Sequence, residues 1–300
     1  MSGAGDAVRN YRAGLAAQYD AEAQRFAQWQ EDAKRLRFAW AEGHDTLYKY
    51  KSLSGKSKAK QVFDIIENSR IYFSVPNQFN DPLDCSPVFK LARDPPDEAL
   101  IAEMEADEAE MRAAASPAER AKMKRAKRVG VSDLASGVTL HTRKVLRAAT
   151  KMFCLSARHD HPLLWAHYAD SHRGVCLHFR CRRGSIFGAA RAVEYQEERR
   201  PIFIPLRYNT EDQITDAMSR AKAKFWREEE EYRIIEFERL EGRFGRFEPE
   251  LLCGITLGME ISSANRKSML AAAARRIPAI AVYQTNEDPD RFWVSIQRIA

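Results

Sequence analysis

The chain lacks the short motifs that would name a cofactor on sight. Neither GxGxxG nor GxxxxGK[ST] occurs in its 300 residues, which disfavours a doubly wound dinucleotide-binding domain and a P-loop nucleotidase. HExxH is absent as well. Five cysteines stand at 85, 154, 176, 181 and 253, odd in number and with no CxxC pair. That pattern supports neither a disulfide framework nor a cysteine zinc site, and reduced thiols fit a cytosolic compartment. No run approaches the ~20 apolar residues needed to span a bilayer. The start, MSGAGDAVRNYRAG, has no signal-peptide core. The expectation is a cytoplasmic protein with no membrane association.

What is present supports a real core. Hydrophobic residues make up 45% of the chain and charged residues 30%, so it is not disordered overall. The formal charge of +6 permits attraction to phosphates or acidic partners without establishing it. The length suits one main domain, 44–300, with helical additions at 1–43 and 94–150.

Leu15, Tyr19, Ala23, Phe26, Trp29, Ala33, Leu36 and Trp40 mark one apolar face and predict a long N-terminal helix over 5–42, stopped at Gly43. It either packs along the main domain or serves as a homodimerising arm, although Glu22 interrupts the coiled-coil seam. Strands are expected at 47–50, 71–74, 152–156, 175–179, 191–195, 232–237, 252–257, 279–284 and 292–296. Helices are expected near 62–68, 163–169, 211–228 and 261–275. Residues 94–150 read as a helical insertion, acidic from Glu98 to Glu110 and basic from Arg120 to Arg128. The basic run suits either nucleic acid or pairing with its acidic neighbour. Short strands split by uneven helices argue for an α+β fold, with mixed and antiparallel strands in a split sheet or sandwich.

Three polar signatures stand out. Phe79-Asn80-Asp81-Pro82-Leu83-Asp84-Cys85 follows a strand, and reads as a tight turn or as the carboxylate-bearing wall of a pocket. The second holds five of the seven histidines, His159, His161, His167, His172 and His178. The spacing does not favour a metal, so His167 and His172 are acid–base candidates or satisfied core histidines. Trp165 and Tyr168 beside them suit stacking on a flat ligand. The third runs through Trp226, Arg227, Glu228 to Glu231, Tyr232 and Arg233. If a strand has begun there, Glu229 and Glu231 share a face, and one of two such close carboxylates should hold its proton more tightly. The other reading is an ion-pair network with Lys224, Arg227 and Arg233.

The order LYKY, IYFSVPNQFNDPLDC, FCLSARHDHPLLWAHYADSHRGVCLHF and KFWREEEEYRI, over about 47–257, resembles the uncharacterised bacterial family called domain of unknown function 2971. The matching positions are Tyr48, Tyr50, Asn80, Asp81, Pro82, Asp84, Trp165, His167, Tyr168, Gly174, Trp226, Glu229, Glu231 and Arg233. That family has no settled activity to carry over. A second likeness is to ADP-ribosyltransferases, which bind NAD without a Rossmann fingerprint and use a glutamate of a late-strand ExE pair. The serine-threonine-serine stretch of those enzymes is missing. This likeness implies an NAD-dependent transferase that modifies a protein or nucleic acid, in bacterial conflict or phage defence. Glu231 would be catalytic, helped by Glu229 and His167. Tyr48, Tyr50, Ser74, Asn80, Asp84, Trp165, Tyr168 and Arg233 would hold the dinucleotide. A nucleic-acid-processing enzyme using His167, His172 and Asp84 is one alternative, and a non-enzymatic interaction module is the other.

Overall fold

A computed structural model of the chain describes residues 35–93, 96–114, 150–236 and 242–300, with isolated positions between 116 and 148. The fold is α+β. In chain order the elements are β1 (Thr46–Lys51), α1 (Lys56–Asn68), β2 (Arg70–Tyr72), β3 (Val88–Leu91), α2 (Glu98–Ala114), β4 (Lys151–Ser156), α3 (Pro162–Tyr168) and β5 (Val175–Arg180). There follow β6 (Arg191–Ala192), β7 (Glu194–Gln196), β8 (Pro201–Ile204), α4 (Glu211–Ser219), β9 (Ala221–Ala223), a 3-10 helix (Lys224–Glu229) and β10 (Glu231–Glu236). The chain closes with β11 (Phe244–Arg246), β12 (Leu252–Leu257), α5 (Ser263–Arg275), β13 (Ala281–Glu287) and β14 (Val294–Arg298).

Eight strands form one mixed sheet in the order β14-β13-β12-β5-β1-β4-β10-β6, and three two-stranded ribbons stand beside it (β2 with β11, β3 with β8, β7 with β9). Only β12 and β13 run parallel within the main sheet. The central strand β5 reads VCLHFR and is buried on both faces up to Phe179, hence its almost continuous apolar run. Phe153, Phe179 and Phe187 meet on one face with Leu47, Ile255 and the α1 side chains Val62, Ile65 and Ile66. Full burial of each such side chain contributes about 2–3 kcal/mol.

The feature that positions the site is a parting of the sheet. β1 pairs with β5 along all of Thr46–Lys51, but with β4 only at Tyr48 and Ser156. Beyond that pair the two strands diverge, and Lys49 Nζ reaches across to Cys154 O at 2.6 Å. Ser74 pairs with Met152 on the β4 side of the opening.

Several expectations change. The N-terminal helix lies mostly outside the described residues, and it does not extend to Gly43. Leu36 to Gly43 form turns, because Phe38 bridges Arg191 and Ala39 bonds to Ala190 in the core. The helix expected over 211–228 ends at Ser219. There the buried Arg220 side chain binds Asp216, Glu194 and the Ala192 carbonyl, and the chain turns into β9. The strand expected at 191–195 is divided between β6 in the main sheet and β7 in a ribbon. Within the insertion, α2 packs Leu100 and Met104 against Ile204 of β8, while Glu103 and Asp107 pair with Arg207. Apart from Arg120, the basic run is outside the described residues. Among the described residues no helix is long and apolar enough to cross a membrane.

Candidate functional site

The parting of β1 from β4 opens into a cleft of about 500 Å³. All three signatures reach it. The first supplies Phe79, Asn80 and Asp84, the second His167, Tyr168 and Asp170, and the third Glu229 and Glu231. Tyr48 and Tyr50 of β1 and Ser74 after β2 complete the part of the lining read from the sequence.

Each signature is built for its place by local chemistry. In the first, Asp81 Oδ1 accepts from Leu83 N in an Asx turn, while its Oδ2 accepts from Trp226 Nε1 at 2.9 Å. The turn is therefore both a tight turn and a cleft wall. In the second, Pro162 starts the short helix α3, and three consecutive residues of positive φ, Asp170, Ser171 and His172, follow it after Ala169. Gly174 then serves close approach. A Cβ there would lie 2.2 Å from Lys51 O and 2.9 Å from Ala169 O.

In the third, Glu229 ends the 3-10 helix, Glu230 takes a left-handed conformation (φ 41°), and Glu231 opens β10. The two carboxylates thus converge through a turn and not through strand alternation, since the strand has not begun at Glu229. Glu230 points outward to Arg158 at 3.1 Å.

The polar centre is a buried cluster of three carboxylates and two cations. Lys222 Nζ bonds Glu229 Oε2, lies 2.9 Å from Glu231 Oε2 and 3.6 Å from Asp84 Oδ2. Arg233 donates to both oxygens of Glu231 at 2.8 Å and to both oxygens of Asp84 at 3.1 and 2.6 Å. Tyr168 donates its hydroxyl to Glu229 Oε1 at 2.6 Å. Burial opposes ionisation of Glu231, but Arg233 and Lys222 outweigh it and hold its carboxyl well below the usual range. Glu229 differs. Burial and the nearby Glu231 charge together push its carboxyl above its ordinary value despite Lys222. Burial also works against the Lys222 ammonium, yet Glu231, Asp84 and Glu229 make it bind its proton more tightly than usual. Glu229 is therefore the member of the cluster poised to exchange a proton at the cleft wall.

Two of the expected ligand-holding residues do not face the cleft. Trp165 is fully buried, edge-on to Tyr50, with Nε1 donating to His159 O. It is a core residue and has no free face for a ligand. Arg233 is also fully buried and spends its guanidinium on Asp84, Glu231 and Ser219 O. His167 is exposed at the rim, its ring against Trp226. His172 stacks on Trp165. His159 and His178 meet across Tyr48, and burial takes His178 down to about 3. Among the described residues no group of three or more His, Cys, Asp or Glu side chains is arranged to hold a metal ion.

The cleft also contains residues that the sequence reading missed. Lys222 falls within the stretch expected to be helical, 211–228, and no feature of its spacing sets it apart. Lys49, Lys51 and Lys58 bring three more cations to the cleft. Burial, then Lys49, takes Lys51 down to about 7, and its amine donates to Gln61 Oε1 at 2.8 Å. Cys154 is no nucleophile at neutral pH, because burial and the Glu231 charge push its thiol up to about 12.

Residues 164–234 match the model of a family described as a protein of unknown function (DUF2971). The resemblance read from the signatures is thus shown over that stretch, which carries Tyr168, Lys222, Glu229, Glu231 and Arg233. No curated protein and no solved structure matches the chain.

Proposed function

We propose that the cleft binds NAD and cleaves its N-glycosidic bond, passing the ADP-ribosyl group to water or to a protein or nucleic-acid acceptor. The observation that carries this reading is Glu229, a carboxyl with unspent lone pairs held at the cleft wall by Tyr168 and Lys222. The bond from ribose C1′ to the nicotinamide nitrogen breaks with its electron pair leaving on nitrogen, so nicotinamide departs neutral. The ribose becomes oxocarbenium-like. Ionised Glu229 stabilises that charge and then takes the proton of the incoming hydroxyl or amine as it bonds to C1′. The approach of a cationic nicotinamide ring itself favours the ionised carboxylate.

Glu229 takes the role that the ExE likeness assigned to Glu231. Both Glu231 oxygens are engaged by Arg233, and one also by Lys222, so Glu231 acts as a positioning residue through those cations. Tyr48, Tyr50 and Phe79 offer aromatic surface for the ring, with Ser74 and Asn80 beside them.

The test is nicotinamide release from NAD, followed by chromatography, for the wild type, Glu229→Gln and Glu231→Gln. The wild type should release nicotinamide. Glu229→Gln should lose at least about 100-fold in kcat while still binding NAD, in line with removal of a preorganised electrostatic group. An absence of NAD binding, or full activity in Glu229→Gln, would overturn the reading.

A further inference from the structure

Three of the four lysines that line the cleft have no partner of opposite charge among the described residues. Lys49, Lys51 and Lys58 all line the cavity, and none has a carboxylate of a described residue within ion-pair distance. The carboxylates of the same lining are engaged by other cations. Asp84, Glu229 and Glu231 belong to Lys222 and Arg233, and Asp170 lies 3.5 Å from Arg173. An ammonium has three donors, and the structure uses one on Lys49, toward Cys154 O, and one on Lys51, toward Gln61.

The helix behind them adds to the imbalance. α1 begins after Gly55 with no side-chain cap and no acidic residue in its first turn. Lys56 and Lys58 occupy that turn instead. Cations at a helix N-terminus oppose the macrodipole, whereas an anion there is favoured. Uncompensated positive charge in a partly desolvated cleft is costly unless a ligand supplies the counter-charge.

We propose that Lys49, Lys51 and Lys58 form a subsite that holds a phosphate or diphosphate of the ligand. This deepens the reading of the cleft as a nucleotide site, yet it does not depend on the glycosidic chemistry at Glu229. The subsite takes up a proton when it fills. Lys51 is faced by Lys49 on its own strand, Lys58 and Gln61 on α1 and Cys154 on β4, and Asp170 after α3 lines the same cleft. With Lys51 at about 7, part of its amine is neutral at neutral pH, and an arriving phosphate recharges it. Affinity is therefore full below that value and is lost as pH rises through the higher value of the bound state.

The experiment is calorimetric titration of the full chain with pyrophosphate, ADP and adenosine, near pH 7 and near pH 8.5, in two buffers of different ionisation enthalpy. Pyrophosphate and ADP should bind at least about tenfold tighter than adenosine, with net proton uptake and weaker binding at the higher pH. Lys51→Met should lose about tenfold in affinity together with the proton uptake. Lys51→Arg should keep the affinity and lose only the uptake, which also shows that the site still folds. The proposal is overturned if pyrophosphate binds no better than adenosine, or if Lys51→Met binds it like the wild type. NAD cleavage without pyrophosphate binding sinks the subsite alone, and pyrophosphate binding without NAD cleavage sinks the glycosidic reading alone.

Discussion

Replacing Lys222 by Met tests the buried charge cluster most directly. With Asp84, Glu229 and Glu231 ionised against Lys222 and Arg233, the cluster carries one excess negative charge. Without Lys222, three carboxylates surround one guanidinium. At the 2.9 Å separation of Lys222 from Glu231, and an effective dielectric of about 20, one such pair attracts by about 6 kcal/mol before desolvation. Removing one partner of a buried pair typically costs about 3–5 kcal/mol, because the other charge is left uncompensated. For a chain of this size that lowers Tm by roughly 5–8 °C.

The loss also depends on pH, and its sign follows from the carboxylates. Once Lys222 is gone, their affinity for protons rises in the folded state, so the variant loses stability as pH rises from about 5 to 8. The assay is urea unfolding of the wild type, Lys222→Met, Glu229→Gln and the double variant near pH 5 and pH 8. The double variant restores a single excess negative charge, so it should be at least about 2 kcal/mol more stable than additivity predicts. A loss below about 1 kcal/mol in Lys222→Met, or simple additivity in the double variant, would refute the reasoning.

Gly174→Ala should cost about 2 kcal/mol, because the new methyl would sit 2.2 Å from Lys51 O and the backbone must move; thermal denaturation measures it. Trp165→Phe should leave ligand affinity unchanged and cost about 1 kcal/mol for the lost hydrogen bond to His159 O, whereas a ligand-stacking role would show as a large affinity loss. His178, at about 3 against an ordinary 6.5, is a base whose folded form resists its proton. Its contribution is complete above 6.5 and is lost as pH falls toward 3, at up to about 1.4 kcal/mol per pH unit. His178→Gln should therefore flatten the acid limb of a stability–pH curve between these values, and an unchanged limb would count against it.

Periodicity made the fold class legible. LYKY, VCLHF and LLCGITL declare strands by composition and alternation, and Val62, Ile65 and Ile66 declare a helical face, because these patterns reflect local geometry. The three signatures were legible for a similar reason, since clustered Asn, Asp, His and Glu are poor core material unless they are paired or working. Boundaries were harder to read. The 211–228 stretch looks helical throughout, yet Arg220 finds Glu194, 26 residues away, and that contact ends the helix.

The amino-acid sequence alone therefore determined the α+β class, the three polar segments and the closeness of Glu229 to Glu231, all consequences of short-range spacing. The tertiary structure decided which of those groups work together. Asp84 and Arg233 are 149 residues apart and meet within 2.6 Å, and Lys222 and Glu229 meet across the turn into β10. It also decided that Trp165 is buried, that Glu230 turns outward, and that β1 and β4 part to make the cleft. Burial and charge pairing belong to whatever packs on a face, and local pattern does not record the identity of that neighbour.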